Sequence, residues 1–229
     1  PMTLATVYGP LLNHHVAAAA LLQDVLERWT RLSLLVSVPI STYLVVSAKD
    51  IADVVFGSSY DDSALLLRIL APSFVLISLG WIVTGLAIAT RRTRGLLTVS
   101  VTALVVNVCL NLVLIPSFGA KAAALTTLVT EVVVVSLMTW VVREHLHRAV
   151  PPLTVLARIA VLSGALAATA VVLPVAPAAI AATLVLVAGG FAMKLFTLED
   201  ANPRLGQPWQ DKGAVLSVDS IRDAGPGHG

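Results

Sequence analysis

Single polar side chains inside long apolar runs are the groups of this chain that could do chemistry. Asn107 and Asn111 lie four positions apart in one run, and Glu131 is the only acid in the next. Side chains at positions i and i+4 share one face of a helix. The pattern favours amides that join helices, while contacts to hydroxyl groups of a ligand stay open. Glu131 either couples to a proton or cation, or hydrogen-bonds to a neighbouring helix, for example to Asn107 or Asn111.

Arginines near the ends of apolar runs are the candidate binding residues that carry a positive charge. Arg68 is the strongest, because a charge inside or at the end of a membrane helix is costly and usually faces protein or water. The alternative is an arginine that extends to lipid headgroups, and the position near a helix end favours this alternative for both Arg68 and Arg158. Arg91, Arg92 and Arg94 mainly mark topology and contact anionic lipid, with attraction of other phosphate groups by their positive field as the second interpretation.

The composition places the chain in a membrane. Of its 229 residues, 57% are hydrophobic and 12% are charged, and the mean hydropathy is +0.90. Typical globular chains are about 25% charged, so this chain has too little charge to cover a water-facing surface. The single cysteine, Cys109, excludes a disulfide within the chain, and its apolar surroundings indicate a small buried or lipid-facing side chain.

The apolar runs predict an all-α, polytopic membrane protein with six transmembrane helices. Open sheet edges cannot face hydrocarbon, and no run shows the alternation of a β-barrel. The runs are long enough to cross a bilayer and comprise residues 32–48, 69–90, 95–120, 122–142, 153–173 and 177–193.

Loop charges predict the orientation of these helices. The first loop, 49–62, has one lysine and four aspartates, whereas the turn at Arg91–Arg94 and the loop after residue 142 are basic. Basic loops prefer the cytoplasm. We therefore expect both ends of the chain to be cytoplasmic, in a multi-pass protein of the plasma membrane, with the acidic loop and a Pro116–Gly119 hinge outside.

The chain divides into four predicted parts. Residues 1–31 form an interfacial lead-in segment at the end of an upstream helix that the chain does not contain. Residues 32–142 form a four-helix part of a bundle, and residues 143–196 contribute two additional helices. Residues 197–229 are polar and rich in Gly, Pro and Asp, which predicts a disordered cytoplasmic tail.

The order of several elements resembles a known family. A helix containing Pro39 precedes an acidic loop with Phe56 and Gly57; the Asn107 to Gly119 hinge region and an Ala-rich helix with Glu131 follow. This looks like the C-terminal half of polysaccharide flippases, the Wzx-type branch of the multidrug/oligosaccharidyl-lipid/polysaccharide exporter superfamily. Ala122 departs from the pattern, since the family commonly has glycine after the hinge.

The resemblance implies a fold, a cargo and partners. Two six-helix bundles would face each other across a central cavity, and the present helices would correspond to helices nine to fourteen of a fourteen-helix transporter. The cargo would be a glycan linked to lipid through pyrophosphate, moved by alternating access. The partners would be membrane lipid, this cargo and the missing N-terminal bundle, with Arg68, Glu131, Asn107, Asn111 and Arg158 as candidate substrate-binding residues.

Other functions stay open at this point. A drug or cation exporter of the same superfamily would have the same fold. A membrane glycosyltransferase that uses a lipid-phosphate donor would place acids as Asp61 and Asp62 are placed, although a solvated acidic loop is the simpler interpretation. A truncated product without activity is a further alternative. No cofactor, catalytic residue or nucleic-acid partner is expected. No metal is expected either, because the histidines lack further ligands at suitable spacing; they are His14, His15, His145 and His147.

The assignment of Arg68 predicts a loss of transport without a loss of protein. We expect Arg68→Ala in the intact parent protein to impair glycan export, because the substitution removes a cation that would bind the pyrophosphate. Export and membrane level are measured in the same cells, and the membrane level should stay normal. Full export by the variant would contradict the assignment.

Overall fold

All regular structure in the computed structural model is helical. The model describes residues 19–57, 61–146, 151–172 and 183–190, and none of these residues lies in a strand. The described helices are α1 (Ala19–Val46), α2 (Ala48–Phe56), α3 (Asp61–Leu70), α4 (Ser73–Ala89), α5 (Thr93–Phe118), α6 (Ala120–Val142) and α7 (Leu153–Val172), with a 3-10 turn at Arg143–His145 and helical residues 183–190. The all-α fold class is confirmed.

Five stretches within the described residues are long and apolar enough to cross a membrane. They are Leu22–Val46, Asp62–Ala89, Thr93–Phe118, Ala120–His145 and Leu153–Val172. They correspond to the first five predicted spans, so the protein is a multi-pass membrane protein. Most of the sixth predicted span, 177–193, lies outside the described residues, as do 1–18 and the predicted tail at 197–229.

The first membrane helix begins earlier than its charge-free run. Helix α1 is continuous from Ala19, so the boundary predicted at residue 31 falls inside it. Leu22, Leu26 and Trp29 recur with helical spacing and are almost fully buried, which explains why a segment with several charges still packs as part of the bundle. The interfacial position predicted for residues 1–31 stays a prediction.

Two breaks replace the connections expected from sequence. The acidic loop contains the nine-residue helix α2, which ends at Gly57 with φ +83°, a left-handed conformation that glycine adopts easily. The second span begins at Asp61 and breaks at Ala71 and Pro72, where proline cannot donate a backbone hydrogen bond. The buried Ser41 hydroxyl of α1 donates to the Ala71 carbonyl at 2.8 Å and so ties this break to a neighbouring helix.

The predicted Pro116–Gly119 hinge between α5 and α6 is a single residue in the structure. Gly119 has φ +59° and ψ −137° and alone separates the two helices, while Pro116 stays within the last turn of α5. This backbone conformation is essentially restricted to glycine. The two helices therefore form a tight hairpin, and they pack against each other.

Polar contacts mark two opposite ends of the bundle. At the aspartate end, Lys121 Nζ of α6 lies 2.9 Å from Asp62 Oδ1 of α3. At the arginine end, which we define by Gln23, the Arg91–Arg94 turn and Arg143–His145, Arg92 pairs with Glu144. Gln23 Nε2 of α1 also donates to the His145 carbonyl there at 2.7 Å. Between the ends, α6 rises by about 30 Å at ~1.5 Å per residue, the thickness of a hydrocarbon core.

The structure places the two basic loops at one end of the bundle and the acidic segment at the other, as expected from their charges. The basic turn at Arg91–Arg94 and the basic loop after α6 meet at the arginine end. The acidic α3 start lies beside the start of α6 at the opposite end. Which end faces the cytoplasm stays a prediction from the charge bias.

Helix α6 is the centre of one packing group and α1 of another. Helix α6 contacts α3, α4 and α5, and α1 contacts α4 and α7. Glycine allows one close approach, since a Cβ added at Gly95 would lie 2.7 Å from Val141 Cγ1, whereas one added at Gly80 would make an ordinary contact 3.7 Å from Val135 Cγ2. In α1, 44% of the apolar stretch is buried against 11% in α5, so α1 is interior and α5 peripheral among the described helices.

The Gly95 contact predicts a specific packing defect. We expect Gly95→Ala to lower the free energy of unfolding in detergent by about 1–3 kcal/mol, because the stiff Val141 side chain cannot yield to the new methyl group. Thermal melting measures the effect. Gly164→Ala in α7 is the matched control, since nothing lies within 4 Å of its added Cβ. Adding Val141→Ala should recover part of the loss; strict additivity of the two changes would contradict the contact.

Candidate functional site

Two of the predicted site residues, Asn107 and Asn111, come together halfway along α5, and a third, Glu131, lies halfway along the neighbouring α6. Asn107 Nδ2 donates to Thr130 Oγ1 across the two helices at 3.1 Å, and Asn111 Nδ2 donates to Asn107 Oδ1 at 3.0 Å. Thr130 in turn donates to the Thr126 carbonyl at 2.7 Å. Glu131 follows Thr130 directly. We call Asn107, Asn111, Thr126, Thr130 and Glu131 the mid-span polar cluster.

Several groups of the mid-span polar cluster lack a protein partner. Asn111 Oδ1 and the Thr126 hydroxyl are buried without a hydrogen bond to any residue in the described ranges. The half-buried Glu131 makes no hydrogen bond or ion pair with any residue that the structure describes. A polar group in hydrocarbon costs free energy unless it is satisfied. The cluster therefore offers two acceptors and one hydroxyl group to a partner from outside these helices.

Glu131 lies on the side of α6 that turns towards α4. It is midway between Lys121 and Val141 and one turn before Val135, the residue that approaches Gly80 of α4. Residues four apart share a helix face, so the carboxylate and Val135 lie on the same side. The hydrogen bond to Asn107 or Asn111 that sequence left open is not formed; Asn107 Nδ2 donates to Thr130 and Asn111 Nδ2 donates to Asn107 Oδ1.

Arg68 and Arg158 stand outside the hydrogen bonds of the cluster. Arg68 lies in the last turn of α3 with an exposed side chain and no ion pair among the described residues. From the level of the Asp62 and Lys121 pair, Arg68 is about 9 Å along its helix and Glu131 about 15 Å along α6, at ~1.5 Å per residue. Arg158 is an exposed residue of α7, in the half of the helix next to its start.

The basic turn has a structural role that sequence reasoning missed. Arg92 Nη1 donates to the Val141 carbonyl at 2.9 Å, and its other nitrogen binds Glu144. A cation is favourable at the C-terminal end of a helix, where carbonyl groups lack backbone partners. Arg143 stacks over Trp140 with its guanidinium carbon 4.9 Å from the ring centre. The signal that could have indicated this contact is Glu144, the only acid in an otherwise basic loop.

The acids at the aspartate end have a structural partner. Asp62 accepts a hydrogen bond from Lys121 and thereby joins α3 to α6. Asp62, one of the two acids considered above for a glycosyltransferase, therefore has a structural role in this contact. No group of three His, Cys, Asp or Glu residues in the described ranges could hold a metal ion. Of the histidines considered for metal binding, His14, His15 and His147 lie outside those ranges, and Cys109 is exposed on α5.

The Asn107 contact predicts a measurable coupling between α5 and α6. We expect Asn107→Ala to lower the free energy of unfolding in detergent by about 1 kcal/mol, because it leaves Thr130 without its donor. In a double-mutant cycle with Thr130→Val, measured by thermal melting, the two changes should be less than additive. Ser100→Ala is the control, since that exposed hydroxyl bonds only to Leu96 of its own helix. Full additivity would remove the amide's role in joining the helices.

Comparison with known proteins agrees with this architecture. The family model described as "Lipid II flippase MurJ" matches residues 2–197 of the chain. No curated protein matches the chain, and no solved structure matches it. The match supports a flippase of lipid-linked glycans, within the superfamily that the sequence resembles, and it names a family of transporters and not of enzymes. It does not name the polysaccharide branch that the resemblance suggested. Because the match covers most of the chain and all five described spans, the chain belongs to the lipid II flippase MurJ family.

Proposed function

We propose that the chain is part of a transporter that moves lipid II across the cytoplasmic membrane by alternating access. The observation that carries this proposal is the family match over residues 2–197, which includes every described membrane helix. Lipid II is a glycan linked to lipid through pyrophosphate, so its transport requires a polar path between apolar helices. The mid-span polar cluster provides polar groups without partners at the depth where transporters of this kind bind cargo and coupling ions.

Glu131 is the residue that we assign to coupling. It is an acid halfway across a membrane helix, with no partner among the described residues. Such acids usually face a bundle interior or a water-filled path and take part in proton or cation transfer. In this proposal Glu131 binds the coupling proton or cation, while Asn111 accepts a hydrogen bond from a cargo hydroxyl through its unpaired Oδ1.

Arg68 is assigned to the pyrophosphate of the cargo. Its guanidinium is exposed and free of acids among the described residues, and arginine binds phosphate oxygens through two parallel hydrogen bonds. Arg158 keeps a secondary role in this proposal as a cation at the start of α7. The exposed side of α5, the least buried of the described spans, would face lipid or an N-terminal bundle of the same transporter.

Flipping by purified protein tests the proposed function. The full-length gene product is reconstituted into liposomes that contain fluorescent lipid II, and the fraction of dye accessible to a membrane-impermeant quencher is followed over time. Protein-dependent equilibration between leaflets is expected. Correctly inserted protein that leaves lipid II in its original leaflet would overturn the proposal, and so would equal rates for ordinary phospholipid.

The coupling assignment predicts the effect of removing one charge. We expect Glu131→Gln to lower the flipping rate about tenfold or more in the same liposomes, which corresponds to a lost interaction of about 1.5–3 kcal/mol with a charged group. Ser136→Ala on the same helix is the control, because its exposed hydroxyl makes no hydrogen bond to a described residue. An unchanged rate in Glu131→Gln would remove Glu131 from the mechanism while leaving the transport of lipid II in place.

A further inference from the structure

A cavity opens at the arginine end, where the start of α5 meets the end of α6. It has a volume of about 380 Å³ and is lined by Arg92, Arg94, Gly95, Trp140, Val141, Arg143 and Glu144. Three arginines face one glutamate, so two positive charges are not compensated within the cavity. None of these side chains belongs to the mid-span polar cluster. We call this cavity the arginine pocket.

The arginines of the arginine pocket differ in what they already bind. Arg92 is occupied by Glu144 and by the Val141 carbonyl, and so it shapes the wall. Arg94 is exposed and makes no hydrogen bond or ion pair with a described residue. Arg143 lies over the Trp140 ring and its side chain makes no hydrogen bond or ion pair with a described residue, so its N–H groups are available to a ligand. Two cations with available N–H donors thus share one cavity, a suitable arrangement for phosphate oxygens.

The floor of the arginine pocket adds to this preference. Helix α5 begins there with no side-chain cap on its first turn. The first N–H groups of a helix have no backbone partner inside it and favour negative charge. Gly95 carries no side chain that would fill the space beside Val141. Uncapped backbone donors therefore lie beside the two arginines.

The surroundings of the arginine pocket indicate that its ligand is a lipid. Leu97 and Val101 follow Arg94 at helical spacing on α5 and are 66% and 52% exposed, and the stripe continues through Leu104 and Val108. Trp140, at the rim, is 64% exposed; tryptophan prefers the boundary between headgroups and hydrocarbon. A headgroup in the pocket would therefore continue directly into acyl chains along this apolar stripe.

We propose that the arginine pocket binds the phosphate of an anionic phospholipid in the leaflet that meets the Arg91–Arg94 turn. Arg94 and Arg143 hold the phosphate oxygens, Arg92 and Glu144 hold the wall, and an acyl chain lies along Leu97 and Val101. The bound lipid joins α5 to α6 at the end opposite Gly119. This site does not depend on the cargo of the transporter, so it can be tested in protein at rest.

Exchange of arginine for lysine tests the site without changing its charge. The full-length protein is purified in a neutral detergent, and binding of short-chain phosphatidylglycerol is measured by native mass spectrometry. Arg94→Lys and Arg143→Lys should each weaken binding about tenfold, because lysine lacks the planar fork and, at position 143, the stacking geometry. Arg91→Lys is the matched control: Arg91 lies in the same turn, has the same exposed position and does not line the pocket.

Each result of this experiment decides the proposal. Loss in Arg94→Lys and Arg143→Lys with unchanged binding in Arg91→Lys supports it, provided that all three variants melt like the parent in lipid-free detergent. Equal binding by all variants would show attraction by charge alone and overturn the site. Phosphatidylcholine that binds as tightly as phosphatidylglycerol would also overturn the proposal, since the site would then not require an anionic headgroup. Glycerol phosphate that competes equally well would overturn it too, since the site would then not require acyl chains.

Discussion

Hydrocarbon cannot satisfy a backbone hydrogen bond, and this constraint determines most of the structure. It makes each of the five described apolar spans a helix, even though they are rich in valine, which favours strands in water. It also explains what happens where helices stop. At the break before α4, Ser41 of a neighbouring helix donates to the Ala71 carbonyl, and at the end of α6, Arg92 donates to the Val141 carbonyl. Each interruption therefore becomes a contact between helices.

The same constraint explains why the described ion pairs lie at the two ends of the bundle. Asp62 and Lys121 pair at one end, and Arg92 and Glu144 pair at the other. Glu131 is the exception among the residues of α6 between these ends, since it is the acid left in the middle of the helix. The paired charges stabilise the ends of helices. Glu131, by contrast, lies halfway across the membrane, where an unpaired charge costs free energy and favours a binding partner. That contrast supports the assignment of Glu131 to function.

The sequence was sufficient for those features that follow from one helix at a time. The fold class, the five described spans and the i, i+4 relation of Asn107 and Asn111 depend on composition and helical period, and they were predicted. The Thr130 partner of Asn107, the cap that Arg92 provides and the arginine pocket depend on which helices meet, which a single sequence does not specify. The start of α1 at Ala19 could not be read from the charge-free run for a related reason: tertiary packing buries Trp29 and Leu26 despite neighbouring charges.

The single-residue connection at Gly119 has a mechanical consequence. A long loop would allow one helix to shift relative to the next. The single residue between α5 and α6 allows almost no such shift. We therefore expect α5 and α6 to move together as one rigid unit. Residues halfway along the two helices then keep their mutual distances while other helices move. If the transporter rocks as proposed, bending would then occur at other interruptions of the helices, such as the break at Ala71 and Pro72, where proline removes a backbone donor.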